Sequence, residues 1–272
     1  MLKEYSFEDI YIRHARDDEP DEKSFTMHIH DKCEIYLFLS GDVEYLVEGS
    51  RYPLDEGSLM IIRPAEAHAP KIVGKGTYER YAVNFPLELV KNIDPKLRLL
   101  TPFTARALGK DNMFSESEFD AELVNKLFSE MCSDSDDYAK RLTINTHLIT
   151  LLDIIYRAWN DKKKSKPKKQ STAQRIVTYV NEHLTEDISV PVLAERFYLS
   201  TSQLSRVFRQ ATGAAPWEYI TKKRLTMAKE MLKNGISAQE TAESCGFKDY
   251  SVFYRAYVKH FGKAPRHNQI KQ

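Results

Sequence analysis

The segment HIHDKCEIYLFLSG, residues 28–41, places His28, His30 and Glu34 just ahead of an apolar strand. Imidazoles and a carboxylate at this spacing are a donor set for iron, manganese, nickel or zinc. Strand alternation puts His28 and His30 on one face, as a shared site requires. Three uses are open for such a cluster: a metal centre, part of the wall of a ligand pocket, or a set of groups that hydrogen-bond one another. No nucleophile or cofactor motif accompanies it, so catalysis is not expected.

These donors need a scaffold. From about Phe25 to Phe85 the chain alternates short β-branched and aromatic runs (EIYLFLS, VEYLV, SLMII, YAVNF) with the turns SGD, EGSR and DEGS. That pattern predicts an antiparallel sandwich or barrel. Tyr36, Phe38, Tyr45 and Arg63 would add an aromatic wall with polar groups, which suits a polyol, because buried hydroxyls need partners. From Phe119 the period becomes helical, with stripes at Phe119, Leu123, Leu127 and Met131 and at Leu148, Leu152, Ile155 and Trp159. Such stripes pack on their own domain or on a second copy.

The chain has 272 residues and a net charge of +1, but that charge is unevenly spread. Residues 1–160 hold 19 Lys+Arg against 29 Asp+Glu, and residues 161–272 hold 21 against 10. A basic second half is a candidate for a polyanionic partner. Between the halves lies DKKKSKPKKQS, residues 161–171, without one apolar side chain and so predicted to be a flexible linker. No run approaches the ~20 apolar residues of a membrane span. The first residues lack the order of a secretion signal, and Cys33, Cys132 and Cys245 form no CxxC pair, so a cytoplasmic protein with reduced thiols is expected.

The basic half contains a duplicated unit. Ile188, Ser189, Ala194 and Glu195 match Ile236, Ser237, Ala242 and Glu243. Leu204, Arg206, Phe208, Gly213 and Pro216 then match Phe253, Arg255, Tyr257, Gly262 and Pro265. Each copy predicts two helices around a short turn. In the first, Val192, Leu193 and Phe197, then Leu204, Val207, Phe208 and Ala211, face inward, with Ser200 or Thr201 as cap. In the second, Val252, Phe253, Ala256 and Tyr257 face inward and Asp249 caps. The remaining faces carry Ser202, Gln203, Ser205, Arg206 and Arg209, and Tyr250, Ser251, Tyr254, Arg255 and Lys259. Arginine pairs with guanine through two hydrogen bonds and glutamine with adenine, so these are the expected DNA contacts. Residues 216–234 predict a connecting helix holding the copies about one DNA turn (~34 Å) apart, with Lys222, Lys223 and Arg224 near phosphates.

Residues 171–270 resemble the DNA-binding domain of the AraC/XylS transcriptional regulators. The likeness rests on LSRVFRQATG with its following Pro216 and on GFKDYSVFYRAYVKHFGKAP. Tyr257 replaces a usual phenylalanine, Ala264 precedes Pro265, and RHNQ replaces the customary aromatic-arginine ending. The acidic half resembles the cupin-type sensor of that family. H-x-H-xxx-E-xxxxxx-G, His28 to Gly41, matches the first cupin metal motif. The second is partial: Gly57, Pro64 and His68 are near their places, but Glu66 stands for its second glycine. The resemblance implies that such residues line or brace a pocket for a small, often sugar-like, effector without a metal.

The expectation is therefore an α+β, two-domain protein. A cupin-like antiparallel β-barrel (about 1–110) with helices (about 117–160) forms a sensing and dimerising domain, 1–160. A linker, 161–171, leads to an all-α domain with two helix-turn-helix motifs, 172–272. The expected effector pocket comprises His28, His30, Glu34, Tyr36, Phe38, Tyr45, Arg63 and His68, with no metal and no cofactor. Expected partners are operator DNA, a carbohydrate effector, RNA polymerase and a second copy. The alternative is a metal-dependent cupin enzyme with an accessory DNA-binding tail.

Overall fold

A computed structural model describes residues 2–162 and 170–266; most of the expected linker, and all but the first residue of the RHNQ ending, lie outside the described residues. Nine strands precede the main helices: β1 Leu2–Phe7, β2 Ile10–Asp17, β3 Cys33–Ser40, β4 Val43–Val47, β5 Ser50–Pro53, β6 Leu59–Ile62, β7 His68–Ile72, β8 Tyr78–Phe85 and β9 Met113–Phe114. They form two antiparallel sheets, ordered β1-β2-β8-β3-β6-β9 and β5-β4-β7. No hydrogen-bonded ladder closes them into one barrel among the described residues. The expected barrel is thus corrected to two sheets, and the segment before β3 meets β7 where His28 and His68 exchange backbone hydrogen bonds of 3.0 and 3.1 Å.

Alternation in the strands builds two cores. Ile35 and Leu37 of β3, with Val83 and Phe85 of β8, face a layer of helices, whereas Tyr36, Phe38 and Ala82 face the small sheet with Tyr45 and Val47 of β4. The helical layer consists of the short α1 Leu87–Lys91 and α2 Thr101–Thr104, then α3 Ala121–Met131 and α4 Asp137–Asp161, the last two capped by Asp120 and Asp136. Leu148, Leu152 and Ile155 of α4 are buried as the stripe predicts. In α3 the buried face is Val124, Leu127, Phe128 and Met131, and Leu123 is exposed. Residues four apart advance by 400°, so a strict four-residue row drifts off the buried face.

Among the described residues, six helices form the second domain: α5 Thr172–Glu182, α6 Val190–Arg196, α7 Thr201–Thr212, α8 Pro216–Lys233, α9 Ala238–Ser244 and α10 Tyr250–Phe261. Ser200 and Asp249 cap α7 and α10, and Gly213 and Gly262 end them with positive φ. The turns between the paired helices place Tyr198 and Gly246 at equivalent positions, both left-handed. Gly246 admits no side chain, because a Cβ there would meet Thr185 O at 2.5 Å. Val192 and Val252, expected inward, are each 49% exposed, since Leu193 and Phe253 already occupy the core-facing positions.

Candidate functional site

The histidine cluster lies where the two sheets meet. Residues 25–30 run beside the start of β7, so His28 and His68 face each other with ring centroids 4.1 Å apart, and His30 lies 4.9 Å from His68. Glu34 enters from β3 and is buried. Each histidine spends its Nδ1 on a nearby carbonyl: Thr26 at 3.1 Å, Lys32 at 3.0 Å and Glu66 at 2.7 Å. These carbonyls fix Nδ1–H as donor and leave Nε2 of a neutral ring as a lone pair. His30 Nε2 stands 3.1 Å from Glu34 Oε2 and His68 Nε2 3.6 Å from it. A lone pair and a carboxylate oxygen repel at such distances, so the arrangement calls for a proton or a metal cation among them.

The donor set passes a fit test for such a cation. The four ligand atoms of His28, His30, Glu34 and His68 lie within 4.8 Å of one another, against ~4.2 Å for opposite donors around an ion at ~2.1 Å. His68 Nε2 is buried and without a hydrogen-bond partner among the described residues. Burial alone would lower the His68 pKa, but the Glu34 charge outweighs it and raises the value. For Glu34, burial raises the pKa, yet His30 and His68 hold the carboxyl well below its ordinary range. Tyr45 donates to Glu34 Oε1 at 3.3 Å and Asn84 to Oε2 at 2.7 Å, which completes the carboxylate's coordination.

Beside the cluster opens a cavity of about 530 Å³. His28, His30, Glu34, Tyr36 and Tyr45 line it, joined by Arg13, Tyr78, Arg80 and Asn84. Tyr36 and Tyr78 share a hydrogen bond of 2.8 Å, and Arg80 stacks on Tyr78 while pairing with Asp17. Three expected residues do not line it. His68 is buried within the cluster and does not border the cavity. Phe38 is buried in the core between the sheets. Arg63 follows the end of β6, reaches the Arg106 carbonyl at 3.1 Å, and borders a different cavity between the domains. Arg13, Tyr78, Arg80 and Asn84 were missed, although IYIRHA and YERYAVN carry a period-two signal that sets Tyr11 and Arg13, and Tyr78, Arg80, Ala82 and Asn84, on one face.

The second candidate surface belongs to the helical domain. Ser202, Gln203, Arg206 and Arg209 on α7 are exposed, and Ser205 is half-buried; on α10, Tyr250, Ser251, Tyr254, Arg255 and Lys259 are all exposed. Gln203 is partly committed, because its side-chain oxygen accepts the Ser200 amide at 3.0 Å in a capping box. Lys222, Lys223 and Arg224 do not lie free for phosphates. Lys222 donates to the Met27 carbonyl at 2.7 Å, Lys223 is buried against Glu48, and Arg224 donates to the carbonyls of Leu184, Glu186 and Gly246. Charge alone cannot separate a phosphate-seeking lysine from one that holds two domains together.

Comparison with known proteins gives the same division. Residues 10–152 match the AraC-like ligand binding domain family, and residues 193–269 match a helix-turn-helix domain family. A probable transcriptional regulator, LumQ of Photobacterium leiognathi, is 26% identical over 250 residues, covering 92% of this chain and 94% of its own. The HTH-type transcriptional activator RhaS of Escherichia fergusonii is 24% identical over 256 residues, covering 92% and 88%. Among solved structures, the DNA-binding domain of AdpA in complex with a target DNA is 30% identical, covers 35% of this chain and 87% of its own, with a TM-score of 0.34. ToxT from Vibrio cholerae is 11% identical, covers 95% and 97%, and has a TM-score of 0.40. No helix among the described residues is long and apolar enough to cross a membrane. With a matching ligand-binding domain followed by a helix-turn-helix domain, this chain belongs to the AraC family of DNA-binding transcriptional regulators.

Proposed function

We infer that a small polyhydroxylated molecule of the carbohydrate class binds in the cavity beside Glu34 and sets the DNA affinity of the helical domain. One observation carries this reading. The cavity of about 530 Å³ presents the hydrogen-bonding groups of Arg13, Tyr36, His30, Tyr78 and Asn84 around a pre-ordered carboxylate. Its volume falls within the ~300–1,000 Å³ of small-molecule sites, and each hydroxyl removed from water needs such a partner. On the output side, Arg206 and Arg255 are the base-reading residues, with Ser202, Ser205, Arg209, Tyr250, Ser251, Tyr254 and Lys259 beside them. The chain acts as a homodimer that recruits or excludes RNA polymerase, without catalysing a reaction.

Thermal unfolding with a panel of sugars and sugar acids tests the pocket. A ligand at about a hundred times its Kd stabilises by ~2.7 kcal/mol, which moves the midpoint by ~2–4 °C per kcal/mol in a domain of this size. Asn84→Leu is expected to abolish the shift. A panel without any shift, or a shift that Asn84→Leu retains, contradicts the reading. The orphaned Nε2 of His68 favours a second reading, in which a divalent transition-metal ion bound by His28, His30, Glu34 and His68 supplies a Lewis-acidic anchor for hydroxyl oxygens. Elemental analysis decides between them: one equivalent of metal, lost in a His30→Ala, His68→Ala variant, supports the second, and its absence from protein purified without chelator leaves the first.

A further inference from the structure

The sensor's β4–β5 turn holds a buried acid in a left-handed conformation, Glu48 with φ 48°. Its carboxylate serves three groups from two elements of the other domain, α5 and α8, and one group of its own. It forms an ion pair with buried Lys223, accepts from Tyr219 Oη, accepts from Asn181 Nδ2 at 2.8 Å, and accepts from the Ala67 amide at 2.7 Å. Lys223 also donates to the Ala65 carbonyl at 2.7 Å. A side chain that spends its carboxylate this way is a fastening between the domains, since no group within the β4–β5 turn needs it.

Around this fastening the two domains share one apolar core. Met27, Ile29, Ala67 and Ala69 of the sensor pack with Ile176 and Val177 of α5 and with Leu193, Leu204 and Phe208, the interior of the first helix-turn-helix unit. Those four sensor residues alternate with His28, His30 and His68, because successive side chains on an extended strand point to opposite faces. The strand pair joined by the His28–His68 bridge is therefore a wall with two sides. One side carries the imidazoles of the candidate site, and the other carries the seat of the first DNA-reading unit. The second unit has its own core, built on Leu225, Phe253 and Tyr257, and among the described residues none from the sensor enters it.

The docked position also places the sensor across the reading side of α7. Ser205, Arg206 and Arg209 line one side of a cleft whose other side is Glu22, Lys23, Thr26 and Lys71, and Arg51 donates to the Gln210 carbonyl at 2.9 Å. A helix ~10–12 Å thick nearly fills a ~12 Å major groove, so phosphate backbones must run along both of its flanks. The sensor stands where one of them would pass.

We propose that this docked arrangement is the DNA-incompetent state, latched by Glu48, and that the two-sided strand pair transmits a change at the histidine site to the latch. The last clause rests on the ligand site inferred above; the latch does not. A molecule that binds the site with the wall shifted favours release, as any ligand with unequal affinity for two states does.

The test uses the full chain and a mixed-sequence duplex of about three turns (~30 base pairs) at low salt, where phosphate contacts alone give measurable affinity. Glu48→Gln, which keeps the shape and removes the charge, and Lys223→Met are each expected to raise affinity about tenfold, within the ~5–150-fold range of coupled equilibria. Arg51→Ala removes only a surface contact and is expected to raise it about twofold, so a latch variant that fails to fold leaves this arm to decide. Unchanged or weaker binding in the folded variants overturns the latch. Hydrogen exchange over residues 25–30 and 66–70 reads the wall. Faster exchange in Glu48→Gln is expected, whereas unaltered exchange beside raised DNA affinity keeps the latch and overturns the coupling.

Discussion

Arg106→Met destabilises the sensor domain by ~3–5 kcal/mol, the cost of stranding a buried charge. Glu66 and Arg106 are both fully buried at the side chain and joined by two bonds, of 2.7 and 2.6 Å. The carboxylate also accepts from the Gly109 amide at 2.8 Å, Asn112 Nδ2 at 3.0 Å and the Arg63 amide at 3.2 Å. Removing the guanidinium leaves the acid in a dry site, and replacing both partners by apolar residues is expected to cost much less. The effect reaches the candidate site, because the Glu66 carbonyl holds His68 Nδ1 and thereby aims Nε2 at Glu34.

Acid reveals the same pair. Burial alone would raise the Glu66 pKa, but Arg106 and the amide donors outweigh it and hold the value below 4.5. A depressed folded-state pKa contributes stability above the unfolded carboxyl's ~4.3 and loses it as pH falls through the folded value. In Arg106→Met the acid lacks its cation, and protonation relieves it. The stability gap between the native chain and the variant is thus expected to narrow from neutrality towards pH ~4, as measured by urea denaturation. A gap that widens contradicts the assignment.

Arg206→Ala and Arg255→Ala each weaken binding to the natural operator by ~1–3 kcal/mol, and each relaxes sequence preference at a different place. Both arginines are exposed at equivalent positions of α7 and α10, and their units have separate cores. The two losses are expected to add, as they do for distant sites without shared partners. Arg224→Ala behaves differently, because its guanidinium ties the carbonyls of Leu184, Glu186 and Gly246 rather than facing outward. Its expected effect is on the stability of the helical domain, with an unchanged slope of affinity against salt.

Much of this was legible from local pattern. The duplicated unit, its caps at Ser200 and Asp249 and its glycine ends follow from spacing and from the few residues that tolerate those backbone conformations. The short strands EIYLFLS, VEYLV, SLMII and YAVNF form as their composition predicts, and period-two alternation sets Tyr36 and Phe38 of β3 opposite Ile35 and Leu37. What spacing missed is pairing. Arg13 and Asn84 reach the cavity because β2 lies beside β8, with Tyr11 opposite Asn84 and Arg13 opposite Ala82. Arg63 was misplaced because β6 ends at Ile62 and the chain turns before His68. The partner of Lys223 lies 175 residues away in the sequence, and a connector lysine looks the same whether it meets a phosphate or a buried acid. Glu66, an apparent flaw in a glycine-bearing motif, is explained only by Arg106 beneath it.

Footprinting on the duplex upstream of the chain's own coding sequence tests the central claim most directly. Two protected major-groove segments about one helical turn apart (~10 base pairs) on one face are expected. Arg206→Ala should weaken one segment and Arg255→Ala the other. A single protected segment, or equal loss of both in each variant, would contradict an account in which two recognition helices read DNA independently.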